Sequence, residues 1–319
     1  MKKRIAILSL ILVFSLCSVA CKSEKNPSTD TSDIPSHSSS CLTETPSKTE
    51  NSSENKTSSV VTSTESSQID TGFTVNDPEN TRGLSEVKFG FSYGVAKNGQ
   101  PHSISVDNQK RFDGMKNIEA LALDTVSKDK VMYLTFDCGY EYKNLTASIL
   151  DTLKEKNVKA AFFCTLDYLE KNPQLVQRMI DEGHIVGNHS ATHPVFPTIS
   201  RNKMASELYL VHKYLQDKFG YTAEYFRFPT GAYSESALEL VTSTGYKSVF
   251  WSLAHADWDT SKQPTPTSAL NTVTSRFHSG AVILLHAVSS ANTEALGDII
   301  DTANSQGYTF KTLDDYYNG

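Results

Sequence analysis

Short apolar runs alternate with amphipathic segments along the chain after about residue 130. The apolar runs predict strands, which cover 131–136, 158–164, 185–188, 225–228, 249–253, 281–285 and 308–312. Between the strands, apolar residues recur three or four positions apart, which predicts helices over 144–156, 172–182, 202–219, 235–244, 268–277 and 294–305. Strands and helices that alternate with short connections are typical of parallel βα units.

The predicted strands are continuously apolar, as expected of strands that are buried on both faces. Polar residues that could act in catalysis or bind a ligand stand at the C-terminal ends of these strands, where a (β/α) barrel builds its active site. An open doubly wound sheet also places ligands at strand C-termini, so this alternative stays open from the pattern alone. The chain has no Gly-x-Gly-x-x-Gly or Walker loop, which argues against nucleotide binding.

The N-terminus predicts export. A basic start, Lys2 to Arg4, precedes an apolar stretch over 5–16 that is too short to span a bilayer comfortably. Small residues lead directly to Cys21, as at a lipoprotein processing site, although Ser18 stands where many such sites have Leu. Residues 1–21 are therefore expected to form a lipoprotein-type signal peptide. An ordinary secretory signal that is cleaved nearby is the alternative.

Residues 22–72 are rich in Ser, Thr, Glu, Asn and Lys and have no Phe, Tyr or Trp. Such a composition buries too little apolar surface to offset chain entropy and predicts a disordered tether with an r.m.s. span of roughly 40 Å. A lipid on Cys21 and this tether would hold a domain at 73–319 on the outer face of the membrane, facing the wall. The net charge of −6 argues against nucleic acid as a partner, and we expect a monomer.

Four fragments carry the candidate chemistry. Asp137 ends the first strong strand, and a carboxylate there can act as a general base, although it can equally cap a turn before Gly139. His189 and His193 have a spacing at which two imidazoles can share a metal ion. Arg227 can hold a carboxylate through a bidentate pair, or form a salt bridge at a barrel rim.

His286 ends the most hydrophobic strand and is a candidate general acid. Asp257 can orient that histidine or tune its pKa. The neighbouring Trp258 can form an apolar platform against a sugar ring, although a buried core aromatic is an equally good interpretation.

The order of these fragments resembles the polysaccharide deacetylase family, carbohydrate esterase family 4, also called the NodB-homology family. Its motifs T-F-D-D-G, H-S/T-x-x-H, R-x-P, D-W and L-x-H match residues 135–139, 189–193, 227–229, 257–258 and 284–286. The resemblance implies a distorted (β/α) barrel and removal of acetyl groups from N-acetylated sugars in polymers. It implies these roles: Asp137 as base, His189 and His193 as ligands of a divalent metal, Arg227 as support of the base, and His286 as acid tuned by Asp257.

Residues 136–141, 89–94 and 227–231 further resemble the branch of the family that deacetylates N-acetylmuramic acid, the step before muramic δ-lactam formation in spore cortex peptidoglycan. Glycan strands are then the partner, and Tyr140, Thr230 and Trp258 are expected to contact them. Thr230 replaces a common Tyr, but its backbone N–H can still serve an oxyanion. The alternatives are a deacetylase of N-acetylglucosamine and a catalytically silent wall-binding homologue.

Cys138 stands where the family usually has its second, metal-binding Asp. A thiolate there suits Zn²⁺ and would complete a His₂Cys set, which makes zinc the expected metal. A thiol that only fills space and a disulfide to Cys164 are the other two interpretations.

Overall fold

The computed structural model describes residues 72–319. The predicted signal peptide, the predicted lipidation site at Cys21 and the predicted tether up to residue 71 lie outside these residues. Within the described part, no helix is both long and apolar enough to cross a lipid bilayer.

The elements follow each other in the order that the sequence predicts, with additions before residue 131 and at 166–171, 232–233 and 313–317. The strands are β1 Phe89–Gly90, β2 Ala120–Leu121, β3 Val131–Cys138, β4 Ala161–Cys164, β5 Ile185–Asn188, β6 Tyr225–Phe226, β7 Ala232–Tyr233, β8 Lys247–Val249, β9 Ala281–His286 and β10 Thr309–Lys311. The helices are α1 Ser103–Asp113, α2 Leu145–Glu155, α3 Leu166–Lys171, α4 Pro173–Asp181, α5 Arg201–Phe219, α6 Glu235–Ser243, α7 Pro266–Thr274, α8 Ser290–Ser305 and α9 Leu313–Tyr317.

The main sheet is parallel and curls toward closure. Its strands follow the order β10-β3-β4-β5-β6-β8-β2, and β9 pairs with β3 along six residues. Just beyond β8, Leu253 forms a parallel bridge with Ile283 of β9, so the chain after β8 approaches the strand that flanks β3. This arrangement is a distorted (β/α) barrel with its strand C-termini at one end, as predicted, and it excludes a flat open sheet.

Side chains of β3 alternate between two environments because successive residues of a strand point to opposite faces. Val131 and Tyr133 lie in the core cluster inside the barrel, together with Phe163 of β4 and Val282 of β9. The residues between them belong to the outer core, where the helices pack: Met132, Leu134, Phe136 and Cys138. Asp137 therefore shares the inward face, and its two chain neighbours do not.

Local signals fix the ends of the long helices. Ser200 precedes α5 and its side chain accepts a hydrogen bond from the N–H of Lys203, while Gly220 ends the helix in the left-handed conformation. Ser289 caps α8 in the same way by accepting from the N–H of Asn292. The cap at Ser289 explains why α8 begins four residues before the predicted start at residue 294.

The residues that precede the predicted barrel form a leader that packs on it. β1 pairs with β7 in antiparallel register, and Phe91 stacks on Phe250 with a centroid separation of 4.6 Å. Arg201 of α5, which is buried, donates to the carbonyl of Asn76 and to the carboxylate of Glu239. The leader is therefore part of the folded domain.

One predicted strand was placed too late. The prediction covered 249–253, but the strand is Lys247–Val249, and the chain then leaves the regular ladder. Phe250 turns into the outer aromatic cluster, whereas the N–H groups of Ser252 and Leu253 both donate to Val282. The apolar run was identified correctly, but only its first residue, Val249, belongs to β8, and its last residue, Leu253, pairs with β9 instead.

Candidate active site

A cavity of about 1010 Å³ opens at the C-terminal ends of the strands. Seven of the ten predicted site residues line it: Asp137, Tyr140, His189, His193, Thr230, Trp258 and His286. Arg227 and Asp257 lie fully buried behind this lining and contact it through hydrogen bonds. Cys138 is the predicted residue that the structure does not bring to the site.

Asp137 is held by an ion pair with Arg227. Nη1 of Arg227 donates to Oδ1 of Asp137 at 2.8 Å, and the same guanidinium donates to the carbonyls of Val249 and Phe250. Its planar face lies over the ring of Phe163 at 4.1 Å. Four contacts around one buried arginine fix its position, and through it the position of the carboxylate.

The charges around Asp137 keep it ionised. Burial by itself would raise the pKa of this carboxyl, but the positive charge of Arg227, helped by His286, outweighs burial and lowers the pKa below its ordinary value. Oδ1 is occupied by the arginine, whereas Oδ2 faces His189. One carboxylate oxygen thus remains for proton transfer.

A tight loop after β5 presents the two histidines. Ser190 and His193 both have positive φ values of 68° and 56°, which non-glycine residues adopt at a cost. The buried carboxylate of Glu207 on α5 compensates by accepting hydrogen bonds from the N–H and the hydroxyl of Thr192. The rings of His189 and His193 lie 4.8 Å apart at an interplanar angle of 76°.

The hydrogen bonds of His189 define its tautomer. Nδ1–H donates to the carbonyl of Arg227 at 2.8 Å, so Nε2 of the neutral ring carries a lone pair. Burial lowers the pKa of His189 to about 4, which keeps the ring neutral. Nε2 therefore faces Oδ2 of Asp137 at 3.5 Å, and neither atom can donate to the other.

Two atoms with lone pairs at this distance, neither carrying a proton, suit a bound cation when a second imidazole lies beside them. An imidazole whose Nδ1–H is tied to a carbonyl is also the usual form of a histidine ligand. The donor set thus fits a divalent metal through His189 and His193. Among residues 72–319, however, no group of three or more His, Cys, Asp or Glu side chains is arranged to hold one, so the predicted triad is not formed.

The prediction of Cys138 as the third ligand needs correction. Its side chain lies on the helix-facing side of β3 and is completely buried in the outer core, because it alternates with the inward Asp137. Its Cα is the register partner of Cys164 on β4, and both cysteines are free thiols, so the disulfide is not formed either. Burial, with the neighbouring thiol, raises the pKa of Cys138 well above its ordinary value, which opposes the thiolate that a metal requires.

His286 and Asp257 form a second pair, in which Asp257 is buried and His286 is partly exposed. Nδ1–H of His286 donates to Oδ1 of Asp257 at 2.7 Å, and the backbone N–H of His286 donates to Oδ2 at 2.8 Å. Burial would lower the pKa of His286, but the hydrogen bond to Asp257 and its charge outweigh burial and raise the pKa above its ordinary value. Since Nδ1 is tied to the carboxylate, Nε2 is the nitrogen that can exchange a proton with a ligand.

Exposed aromatic rings flank the mouth of the cavity. Trp258 is 57% exposed and Tyr140 is 48% exposed, which is unusual for large aromatic side chains. The ring of Trp258 lies 5.8 Å from that of His286, so the predicted surface platform stands beside the candidate acid, and a core position for Trp258 is excluded. Thr230 has a φ of 58° within the short 3₁₀ turn Pro229–Gly231.

The sequence analysis missed four residues that shape this site. Tyr93 and Trp251 line the cavity, and Tyr93 reaches it from the leader, which carried no motif beyond its resemblance to one branch of the family. His255 also lines it, two positions before Asp257, and Asn292 lies behind it at the start of α8. The histidine beside a recognised motif was a signal, whereas an asparagine in the first turn of a helix gave none.

Comparisons with known proteins agree with this geometry. A family profile described as polysaccharide deacetylase matches residues 124–249. The peptidoglycan-N-acetylmuramic acid deacetylase PdaA of Bacillus subtilis is 42% identical over 190 residues, which cover 59% of this chain and 72% of that protein. A peptidoglycan-N-acetylglucosamine deacetylase of Bacillus cereus is 33% identical over 184 residues, which cover 56% of this chain and 66% of that one.

The same fold occurs in a solved structure. Bacillus subtilis PdaA, described as a family 4 carbohydrate esterase, superposes with a TM-score of 0.68 and 36% identity, and the match covers 74% of this chain and all of that chain. The identity to PdaA, the share of it that is covered and the shared barrel lead to one conclusion. The chain belongs to the polysaccharide deacetylase family, carbohydrate esterase family 4, whose members are hydrolases of carbon–nitrogen bonds other than peptide bonds.

Proposed function

We propose that this protein removes the acetyl group from N-acetylmuramic acid in peptidoglycan and so prepares the sugar for muramic δ-lactam formation. One observation carries the catalytic part. Asp137 and His286 are register partners on the adjacent strands β3 and β9, and both side chains line the same cavity. Their surroundings push the two pKa values apart, which is how enzymes assign a base and an acid.

The two residues divide the proton transfers of amide hydrolysis. Asp137 accepts a proton at Oδ2 from the water that attacks the acetyl carbon, since Oδ1 is engaged by Arg227. His286 gives a proton from Nε2 to the sugar nitrogen as the carbon–nitrogen bond breaks, and Asp257 stabilises the imidazolium beforehand. Acetate and a free amine are the products.

A divalent ion held by His189 and His193 would act as a Lewis acid toward the acetyl carbonyl and the attacking water. Zinc is the metal we propose, because two neutral imidazoles suit it. The backbone N–H of Thr230, at the second position of a short helical turn, has no acceptor within that turn and is proposed to stabilise the oxyanion.

The surface of the cavity suits a sugar polymer. Trp258 and Tyr140 offer exposed ring faces on which the apolar face of a pyranose can stack. Muramic acid is proposed as the target because the chain is 42% identical to PdaA and 33% identical to the N-acetylglucosamine enzyme of Bacillus cereus. Glucosamine in peptidoglycan is therefore the second candidate.

Matched glycan substrates test this proposal. We would measure acetate release by the purified protein with added Zn²⁺ from peptidoglycan strands with and without stem peptides, and from chitin oligosaccharides. Mass spectrometry of the digested strands identifies which sugar lost its acetyl group. Loss from muramic acid supports the proposal, loss from glucosamine alone supports the second candidate, and no acetate from any strand contradicts both.

A silent wall-binding homologue is the remaining alternative, because the third expected metal ligand is missing. A binding module needs no buried carboxylate paired with arginine and no histidine poised by a second carboxylate, yet both pairs are formed. The two interpretations differ in a single measurement. Strands that bind to the protein but release no acetate at any zinc concentration would favour the silent homologue.

We also propose, from the sequence, that the protein is exported and anchored through a lipid on Cys21, with 22–72 as its tether. Metabolic labelling with a radioactive fatty acid tests this directly. Cys21→Ser should lose the label and appear in the medium, whereas Cys41→Ser should keep both the label and the membrane fraction. Equal labelling of the two variants would contradict the anchor.

A further inference from the structure

A hydrogen-bonded chain leads from the candidate acid to a second histidine in the cavity. Asp257, which already binds His286, also accepts a hydrogen bond from Nδ2 of Asn292 at 2.6 Å. On its other side, Oδ1 of Asn292 lies 3.0 Å from Nε2 of His255. The order is therefore His286, Asp257, Asn292, His255, and the two histidines at its ends both line the cavity.

The directions of these hydrogen bonds follow from which groups can donate and which can only accept. A carboxylate oxygen accepts, so the Asn292 atom that faces Asp257 must be the amide NH₂. The other amide atom is then the oxygen, which accepts as well, so Nε2 of His255 must carry the proton. The neutral ring of His255 is thereby fixed as the Nε2–H tautomer, and its Nδ1 carries a lone pair.

The support behind His255 is rigid. Asn292 is 98% buried in the first turn of α8, and its N–H donates to the capping hydroxyl of Ser289. That hydroxyl donates in turn to Gln263, whose amide NH₂ donates to the carbonyls of Asp257 and Asp259. Hydrogen bonds through Asn292 and through Ser289 thus connect the segment that carries His255 to the start of α8.

His255 stands next to groups that the leader contributes. The carbonyl of the preceding residue, Ala254, accepts hydrogen bonds from the hydroxyl of Tyr93 at 2.8 Å and from Arg276. Nδ1 of His255 has no hydrogen-bond partner anywhere in residues 72–319. A half-buried imidazole that lines a cavity, with one nitrogen fixed and the other unpaired, is suited to bind a ligand.

We propose that His255 binds the glycan by accepting a hydrogen bond at Nδ1 from a sugar hydroxyl or amide N–H, and that Asn292 is a positioning residue that fixes its tautomer. This inference rests on the proposed function, because it names a contact of the same substrate. The cavity of about 1010 Å³ is large compared with one acetamido group, so it has room for such a contact away from the reacting carbonyl. Binding energy from remote parts of a substrate is a usual means of orienting the reacting centre.

Steady-state kinetics of the zinc-loaded protein on peptidoglycan strands test the contact. His255→Ala should raise KM about tenfold, as expected for the loss of one neutral hydrogen bond, and should change kcat less. His212→Ala, a half-buried histidine outside the cavity that packs on Phe73, is the matched control and should keep the wild-type KM. An unchanged KM in His255→Ala would overturn the proposal.

A spectroscopic measurement tests the role of Asn292 without any activity. In ¹⁵N-edited spectra of the imidazole rings near neutral pH, the wild type should show His255 with its proton on Nε2. Asn292→Ala, if circular dichroism shows that it is folded, should give a mixture of the two tautomers; Asn292→Ser serves the same purpose if the alanine variant does not fold. An unaltered tautomer in the folded variant would overturn the positioning role.

The same spectra separate failure of this inference from failure of the proposed function. Chitin and muramic acid oligosaccharides added to the Asp137→Asn variant should shift the Nδ1 signal of His255, whether or not acetate is ever released. A shift in this variant, together with no acetate release by the wild type, would contradict only the proposed function. Acetate release by the wild type without any shift at Nδ1 would contradict only the role of His255.

Discussion

Arg227 donates to Asp137 over 2.8 Å, and neither side chain is more than one tenth exposed. The guanidinium has lost its hydration but is compensated by one carboxylate, two backbone carbonyls and the ring of Phe163. Breaking such a pair from one side leaves an uncompensated buried charge. This ion pair therefore affects both the charge state of the candidate base and the stability of the barrel.

Asp137→Asn should separate these two properties. The amide oxygen still accepts from Arg227, so the fold should be kept at lower stability because the charge of Arg227 is no longer balanced, and the side chain no longer accepts a proton. Acetate release should fall about 10²–10⁴-fold, the usual cost of losing a general base. Asp167→Asn is the matched control and should stay near wild-type activity, since this cavity-lining carboxylate forms, among residues 72–319, an ion pair with the exposed Lys171 alone. An Asp137→Asn protein with most of its activity would show that the assigned role is wrong.

Asp257→Asn should move the pH profile of kcat/KM. The acid His286 must be protonated, and its raised pKa, which Asp257 provides against the effect of burial, extends activity toward alkaline pH. Removing the carboxylate charge lowers that pKa, so the alkaline limb should shift to lower pH, whereas the acid limb, set by the lowered pKa of Asp137, lies below the measured range. Rates measured from pH 5 to pH 10 check this, and an unmoved alkaline limb would count against His286 as the acid.

Cys138 should be unimportant for metal binding. Because its thiol lies in the outer core and not in the cavity, Cys138→Ala should keep the zinc affinity, measured by competition with a chelating dye. His189→Ala should lose more affinity than the about 10–100-fold that removal of an outer-shell partner costs. If the cysteine variant loses as much zinc affinity as the histidine variant, the thiol is a ligand after all.

Removal of the leader should destabilise the barrel, unlike removal of the tether. A chain that begins at Phe73 should unfold at the same temperature as the mature protein. A chain that begins at Val95 loses β1, Phe91 and Tyr93, exposes the aromatic face around Phe250, and should melt well below it. Thermal unfolding followed by circular dichroism compares the two, and equal melting temperatures would mean that the leader contributes little.

The buried His184 should make the domain sensitive to acid. Burial lowers the pKa of His184 from 6.5 to about 4, so between these values the unfolded chain binds a proton that the folded chain does not. Stability is therefore complete above about pH 7 and declines as the pH falls, by about 2 kcal/mol at pH 5 from this residue. Urea unfolding at pH 7 and pH 5 should show a smaller loss in His184→Gln, and an equal loss would contradict the assignment.

The order of the elements and the positions of most site residues follow from the amino-acid sequence alone. Strand and helix periodicities are local, so the βα alternation and the polar residues at strand ends were visible without any coordinates. Because the carboxyl ends of parallel strands gather at one end of a barrel, Asp137, His189, Arg227 and His286 were predictable as neighbours. The leader was less visible, since its strands are only two residues long.

The direction in which each of these side chains points depends instead on the packing of the folded domain. Cys138 is adjacent to Asp137 in the sequence, but alternation along β3 sends its thiol into the outer core, and sequence order alone did not say which face of the strand end was inward. Asn292 lies 35 positions from Asp257 and became part of the site only because α8 packs its first turn behind the cavity. Sequence motifs identify the site residues, whereas the packing of distant elements fixes the hydrogen bonds, tautomers and pKa values of those residues.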